Sequence, residues 1–186
     1  EIELLVHAAV QLARPRWLST EGGTARQLEL VLDLKPLSTF YGFESELRQA
    51  LINLLFNAAD AVDTDGQITI QTYESLTDVC IIVKDNGSGM SPDILDKCQE
   101  PFFSTKKERG TGLGLAMVFG TATRHGGTLE IQSAVGQGSS FCLKLPRNEP
   151  THLPDEPKSL SMLDFSQRLK VLVVDDDPLI RRMLGQ

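Results

Sequence analysis

The 186 residues suffice for one domain of ordinary size and a fragment of another, and 41% of them are apolar, enough to build a core. A formal net charge of -7 counts against nucleic acid as the main partner, because binding to a phosphate backbone rests on clustered Lys and Arg. No apolar run is long enough to span a bilayer and nothing resembles a signal peptide, while three widely spaced cysteines (Cys80, Cys98, Cys142) suit a reduced cytoplasmic setting better than a disulfide framework.

In chain order, Glu1 to Ala13 carries apolar residues at helical spacing and is expected to stop before Pro15, which disfavours helix at the residue preceding it. Leu28 to Leu34 alternates like a strand. Glu44 to Val62 is the longest helical pattern, with Leu47, Leu51, Leu54, Leu55 and Ala58 on one side. Asp65-Gly66 then turns the chain into a strand over 67–72, and a second strand over 79–83 completes a hairpin. Ser91-Pro92-Asp93 reads as a helix start with proline in the first turn. A connector over 100–109 leads to a helix over 113–124, which ends at Gly126-Gly127, and strands follow over 128–133 and 140–145. Strands and helices mix without regular alternation, which favours an α+β sandwich, one sheet covered by helices on one face, over a doubly wound parallel fold.

Composition then shifts to Pro, Asn, Glu, Ser and Asp, a linker pattern. Val171 to Val174 beyond it is a short apolar strand running into Asp175-Asp176-Asp177-Pro178. Both ends of the chain fall within helical patterns, so a piece of a longer protein is expected.

Three stretches carry chemistry. On the long helix, Glu46, Gln49, Asn53, Asn57 and Asp60 recur every three or four residues and form one polar stripe. Charged residues there would be a solvated face. Two asparagines four apart differ, because an amide carbonyl can ligate Mg²⁺ and its NH₂ can bind a phosphate oxygen. Asp85 ends a strand and is followed by Gly87 and Gly89; by itself this is a simple turn, yet a semi-buried carboxylate can accept from an exocyclic amine such as that of adenine, and the glycines leave room for a flat ring. Finally, Gly110, Gly112 and Gly114 precede a helix start, which favours an anion. No lysine and hydroxyl follow them as a P-loop requires, and Leu115 stands where a dinucleotide fingerprint has its last glycine. Lys106 and Arg109 nearby are cations of a loop, solvated unless that loop closes on a polyphosphate.

In this order, Asn53-x-x-x-Asn57-Ala58-Ala59-Asp60-Ala61, Asp85-x-Gly87-x-Gly89, Glu100-Pro101-Phe102-Phe103-Ser104-Thr105-Lys106 and Gly110-Thr111-Gly112-Leu113-Gly114-Leu115 resemble the ATP-binding catalytic domain of sensor histidine kinases. That family belongs to a wider group with type II topoisomerases and mismatch-repair ATPases. The resemblance implies a Bergerat-type two-layer α/β sandwich, with ATP and Mg²⁺ between the long helix and a lid running from about Pro101 to Thr111. It further implies that Asn57 holds Mg²⁺, Asn53 lies near the phosphates, Asp85 reads adenine and the backbone from Gly110 to Gly114 cradles phosphate. Asp60, Gly87, Gly89, Thr105, Lys106, Thr111, Leu113 and Leu115 complete the implied ATP site, with Asn53, Asn57 and Lys106 as the catalytic set.

Related ATPases carry a glutamate, as base for water, where this chain has Asn53, and an amide cannot accept a proton at neutral pH. The resemblance therefore implies a protein-histidine kinase rather than a hydrolase; an ATP hydrolase and a non-enzymatic nucleotide sensor are the alternatives. His7 lacks the acidic neighbour and following proline usual around phosphoacceptors, His125 is expected as a charge partner at a helix C-terminus, and His152 falls in the linker. The acceptor histidine is then expected on a separate domain. Residues 1–20 would be the tail of that dimerisation region, 21–146 the catalytic domain, 147–167 a linker and 168–186 the opening of a receiver domain, with Asp175 and Asp176 as its acidic pair for Mg²⁺. The implied parent is a homodimeric hybrid kinase, cytoplasmic or membrane-attached, whose partners are its phosphoacceptor domain and the receiver of a response regulator.

Overall fold

The computed structural model describes residues 2–17, 28–37, 41–63, 65–106 and 111–147, all within the compact unit Glu1–Pro154. The linker expected over 147–167 lies outside the described residues from 148 onward, as do the receiver-like segment over 168–186, with Asp175 and Asp176, and His152. The elements run α1 (Ile2–Trp17), β1 (Glu29–Leu34), α2 (Glu44–Ala61), β2 (Gln67–Glu74), β3 (Asp78–Asp85), α3 (Pro92–Lys97), α4 (Gly114–Arg124), β4 (Thr128–Ser133) and β5 (Ser139–Pro146).

The strands form one mixed sheet in the order β1-β2-β3-β5-β4, parallel between β1 and β2 and antiparallel elsewhere. Burial alternates along β2 from Gln67 to Thr72, so Ile68, Ile70 and Thr72 enter the core while Gln67, Thr69 and Gln71 face away. Register carries the same face across Ile81 and Val83 to Leu143 and Phe141. Over it lies α2, whose Leu51, Leu54, Leu55 and Ala58 are fully buried, with α4 beside it through Val118 and Ala122. The fold is thus an α+β two-layer sandwich covered by helices on one face.

Helix α1 departs from its expected end and continues through Pro15 to Trp17. It packs on α2 and contributes Leu5, Val6, Ala9, Ala13 and Trp17 to the common core. An interior proline costs roughly 3 kcal/mol. Burial of a large aromatic, worth on the order of 3–5 kcal/mol when truncated, offsets that, and Trp17 is 6% exposed. The strand ends also differ: β3 runs to Asp85 and β5 begins at Ser139, because the two strands stay paired as far as Asp85 opposite Ser139.

Candidate functional site

Helix α2 runs apolar side down, so the opposite stripe is left to line a cavity of about 470 Å³, within the range of small-ligand sites. Asn53, Asn57 and Asp60, at helical spacing, line it from α2. Asn53 accepts at Oδ1 from Gln49 Nε2 (3.4 Å), and its own Nδ2 lies 4.0 Å from Met117 Sδ of α4. The Lys106 ammonium crosses from the loop after α3 to donate to Asp60 Oδ2 at 2.7 Å and to Asn57 Oδ1 at 3.4 Å. A cation is therefore already seated between a carboxylate and an amide oxygen.

At the end of β3, Asp85 is 2% exposed. Its Oδ1 accepts from Gly87 N–H (2.9 Å) and Ser139 N–H (3.2 Å). Its Oδ2 has no hydrogen-bond partner among the described residues. Burial pushes the Asp85 carboxyl above the usual carboxylate range, and the two backbone donors offset part of that shift. The loop after Asp85 is pinned to the end of α2 by the Ser88 N–H on Ala61 O (2.9 Å). Gly89 has φ 65, and a Cβ there would stand 1.9 Å from Ala134 O, so only glycine fits.

Helix α4 points its start into the same cavity through Gly114 and Leu115. Its N-cap, Leu113, makes no side-chain cap bond, which leaves first-turn N–H groups and the positive dipole end for a ligand. A Cβ on Gly114 would lie 3.9 Å from Asn57 Nδ2, so this helix start and the α2 asparagine are neighbours. Just before it, Gly112 has φ 66 and accepts at its carbonyl from Phe102 N–H at 3.0 Å. Phe102 itself has φ 67, a left-handed conformation rare for a bulky side chain, and is exposed.

Of the residues expected at the site, Asn53, Asn57, Asp60, Asp85, Gly89, Thr105, Lys106, Thr111, Gly112, Gly114 and Leu115 line the cavity. Gly87 and Leu113 do not: Gly87 is taken up by its bond to Asp85, and Leu113 caps α4 from outside. Gly110 and Arg109 lie outside the described residues. Sequence reasoning missed Ser139, which is brought to Asp85 by strand register, and Met90, Ile94 and Cys98, which give the cavity an apolar wall. Only the helical spacing of Ile94 and Cys98 hints at the latter.

His125 requires a correction. It is 1% exposed, Nδ1 bonds to Thr121 O at 2.8 Å, and Nε2 accepts the Phe43 N–H at 2.9 Å. That arrangement suits a neutral ring tying the end of α4 to the start of α2, not a charge at a helix terminus. His7 is exposed on α1.

The profile of the family described as histidine kinase-, DNA gyrase B-, and HSP90-like ATPase matches residues 42–149. The chain is 36% identical over 172 residues to sensor kinase CckA of Brucella abortus (strain 2308), covering 80% of this chain and 18% of that protein. Against sensor histidine kinase ZraS of Escherichia coli (strain K12) it is 46% identical over 102 residues, covering 55% and 22%. The chain thus spans about a fifth of the length of these relatives. Full-length ShkA, solved in complex with AMPPNP, superposes with a TM-score of 0.68 at 29% identity, covering 78% of this chain and 30% of that one. The family match takes in every element from α2 to β5, more than half of the residues; the chain belongs to the histidine kinase-, DNA gyrase B-, and HSP90-like ATPase family.

Proposed function

We propose that this chain is the ATP-binding catalytic domain of a two-component sensor histidine kinase, which passes the γ-phosphoryl group of ATP to a histidine on a separate domain. The observation that carries the proposal is the convergence, in one cavity, of a buried carboxylate with a free oxygen and an uncapped helix start flanked by Asn57 and Lys106. A carboxylate accepts from an exocyclic amine and so selects adenine over guanine, whose corresponding edge carries a carbonyl. The α4 N–H groups and Lys106 bind phosphate oxygens.

Mg²⁺ fits the residues present. Asn57 Oδ1 and Asp60 Oδ2 are hard oxygen donors, and the Lys106 ammonium bonded to both supports a reading of the position as one for a cation. When bound, the metal would neutralise developing charge on the phosphoryl oxygens. Asn57 would hold it, and Lys106, released from Asp60, would swing to the phosphates. Asn53, its amide oriented by Gln49, would donate to phosphate and has no proton affinity with which to activate water. Leu115, Thr105 and Thr111 would shape the phosphate end of the site. Hydrolysis is accordingly not the favoured reading.

The partners that follow are a phosphoacceptor domain of the same homodimeric parent and the receiver domain of a response regulator, in the cytoplasm. Residues 168–186 would open a receiver of the parent itself. Among the described residues no helix is long and apolar enough to cross a membrane. Calorimetric titration with ATP and GTP, with and without Mg²⁺, tests the pocket, and mixing with a cognate phosphoacceptor domain and ATP tests transfer. Adenine-selective, Mg²⁺-dependent binding followed by acid-labile phosphohistidine is expected. Binding without transfer would favour a nucleotide sensor, and steady phosphate release by the chain alone would favour a hydrolase.

A further inference from the structure

The sheet face turned away from the helices is polar: Gln67 pairs with Glu29, Gln71 with Asp33, and Lys144 with Glu130. Two residues on that face are nonetheless buried among the described ones, Cys80 at 1% and Cys142 at 9% exposure, and both are free thiols. Register brings them together. Cys80 stands opposite Lys144 on β5, and Cys142, two residues before Lys144, stands opposite Ile82, so the thiols are diagonal neighbours on one face. Tyr73 stands opposite Cys80 on the other side, and Glu130 opposite Cys142.

We propose that Cys80 and Cys142 form a two-thiolate site for a soft monovalent metal ion of the Cu(I) class, closed over by Tyr73. Strand register sets the three side chains next to one another on that face, Tyr73 and Cys142 on either side of Cys80.

Distance argues against a disulfide here. Diagonal residues of an antiparallel pair are about 7–8 Å apart at Cα, beyond the roughly 4.4–6.8 Å that a disulfide spans. An S–metal–S bridge, with metal–thiolate bonds of about 2.3 Å each, reaches about twice as far as an S–S bond. Buried thiols also resist ordinary oxidants, which react with an accessible thiolate nucleophile, whereas a thiophilic ion displaces the thiol proton outright. Zinc is excluded by ligand count: among the described residues no group of three His, Cys, Asp or Glu side chains forms a metal cluster, and zinc needs four ligands. Two thiolates satisfy a soft ion of the Cu(I) class. Loading breaks two S–H bonds, forms two sulfur–metal bonds, releases two protons to solvent and transfers no electron. The bound unit carries one negative charge, which Lys144 partly balances and toward which the Tyr73 hydroxyl donates.

The test is an anaerobic titration of the full chain with Cu(I) against bathocuproine disulfonate, whose coloured complex counts the metal that the chain does not hold. Wild type and Cys98→Ser should each withhold one ion per chain. Cys80→Ser or Cys142→Ser should weaken retention by more than about a hundredfold, and Tyr73→Phe by roughly tenfold, as for an outer-shell partner. Should a serine variant unfold in a thermal melt, Cys80→Val and Cys142→Ala keep the face apolar and replace it. The proposal is overturned if wild type surrenders the metal as readily as a variant carrying both Cys80→Val and Cys142→Ala, if retention follows Cys98, or if diamide closes Cys80 and Cys142 into a disulfide.

Discussion

Asp85 and Asn57 have opposite electrostatic problems. The Asp85 carboxyl is buried with only two backbone donors, so its folded pKa lies above its unfolded value. A carboxyl of that kind stabilises the fold at acid pH, and the contribution is lost as pH rises through the folded pKa. Asp85→Asn should therefore leave neutral-pH stability unchanged or raised in urea denaturation, since an amide keeps an acceptor without a charge to desolvate. Nucleotide binding carries the reverse sign, because accepting from adenine requires the ionised form. ATP affinity should fall on acidification with a midpoint above the roughly 3.9 of an ordinary aspartate, and calorimetry across pH should show that dependence vanish in Asp85→Asn together with adenine preference. Asn57 meets a cation, not an apolar wall. Asn57→Ala removes an acceptor worth about 1.5–3 kcal/mol against a charged partner, so Mg²⁺-dependent ATP affinity should drop by tenfold or more while metal-free affinity changes little.

Between elements, one imidazole joins two helices. His125 at the end of α4 accepts from the Phe43 N–H that precedes α2 and bonds back to Thr121 O, with its ring edge-on to Phe43 at a centroid separation of 5.6 Å. Removing it leaves the part-buried Phe43 N–H unpaired, at a cost of about 1–3 kcal/mol, while Thr121 O keeps the backbone N–H of residue 125. His125→Ala is expected to lower unfolding free energy by about 1–3 kcal/mol on that basis, read by urea denaturation, and to weaken ATP binding, since α2 and α4 carry Asn57 and the open helix start. His125→Asn, which can still reach one of the two partners, should recover part of the loss.

For the described unit as a whole, α1 is a structural layer. Its buried side chains belong to the same core cluster as α2 and the sheet. Trp17 is the single tryptophan of the chain, so its emission reports that layer: it should be blue-shifted in the native protein and move red in step with loss of the sheet signal on denaturation. Trp17→Ala should destabilise by about 3–5 kcal/mol. Two separated transitions would show instead that α1 melts independently.

The motif residues of the site were legible because each works through its own neighbourhood. Asn53, Asn57 and Asp60 share a helix face by spacing alone, and Gly89 and Gly112 announce close backbone approach by lacking a Cβ. The sheet strands were legible by alternation, although the end of α1 was not, because local proline chemistry says nothing of the core that buries Trp17. Tertiary structure alone decided the rest. Ser139 reaches Asp85 across 54 residues, Lys106 reaches Asp60 across 46, His125 reaches Phe43 across 82, and Cys80 meets Cys142 only through the β3–β5 register. Periodicity fixes which face a residue takes on its own element, but which elements lie side by side depends on burial summed over the whole sheet, and no local stretch carries that sum.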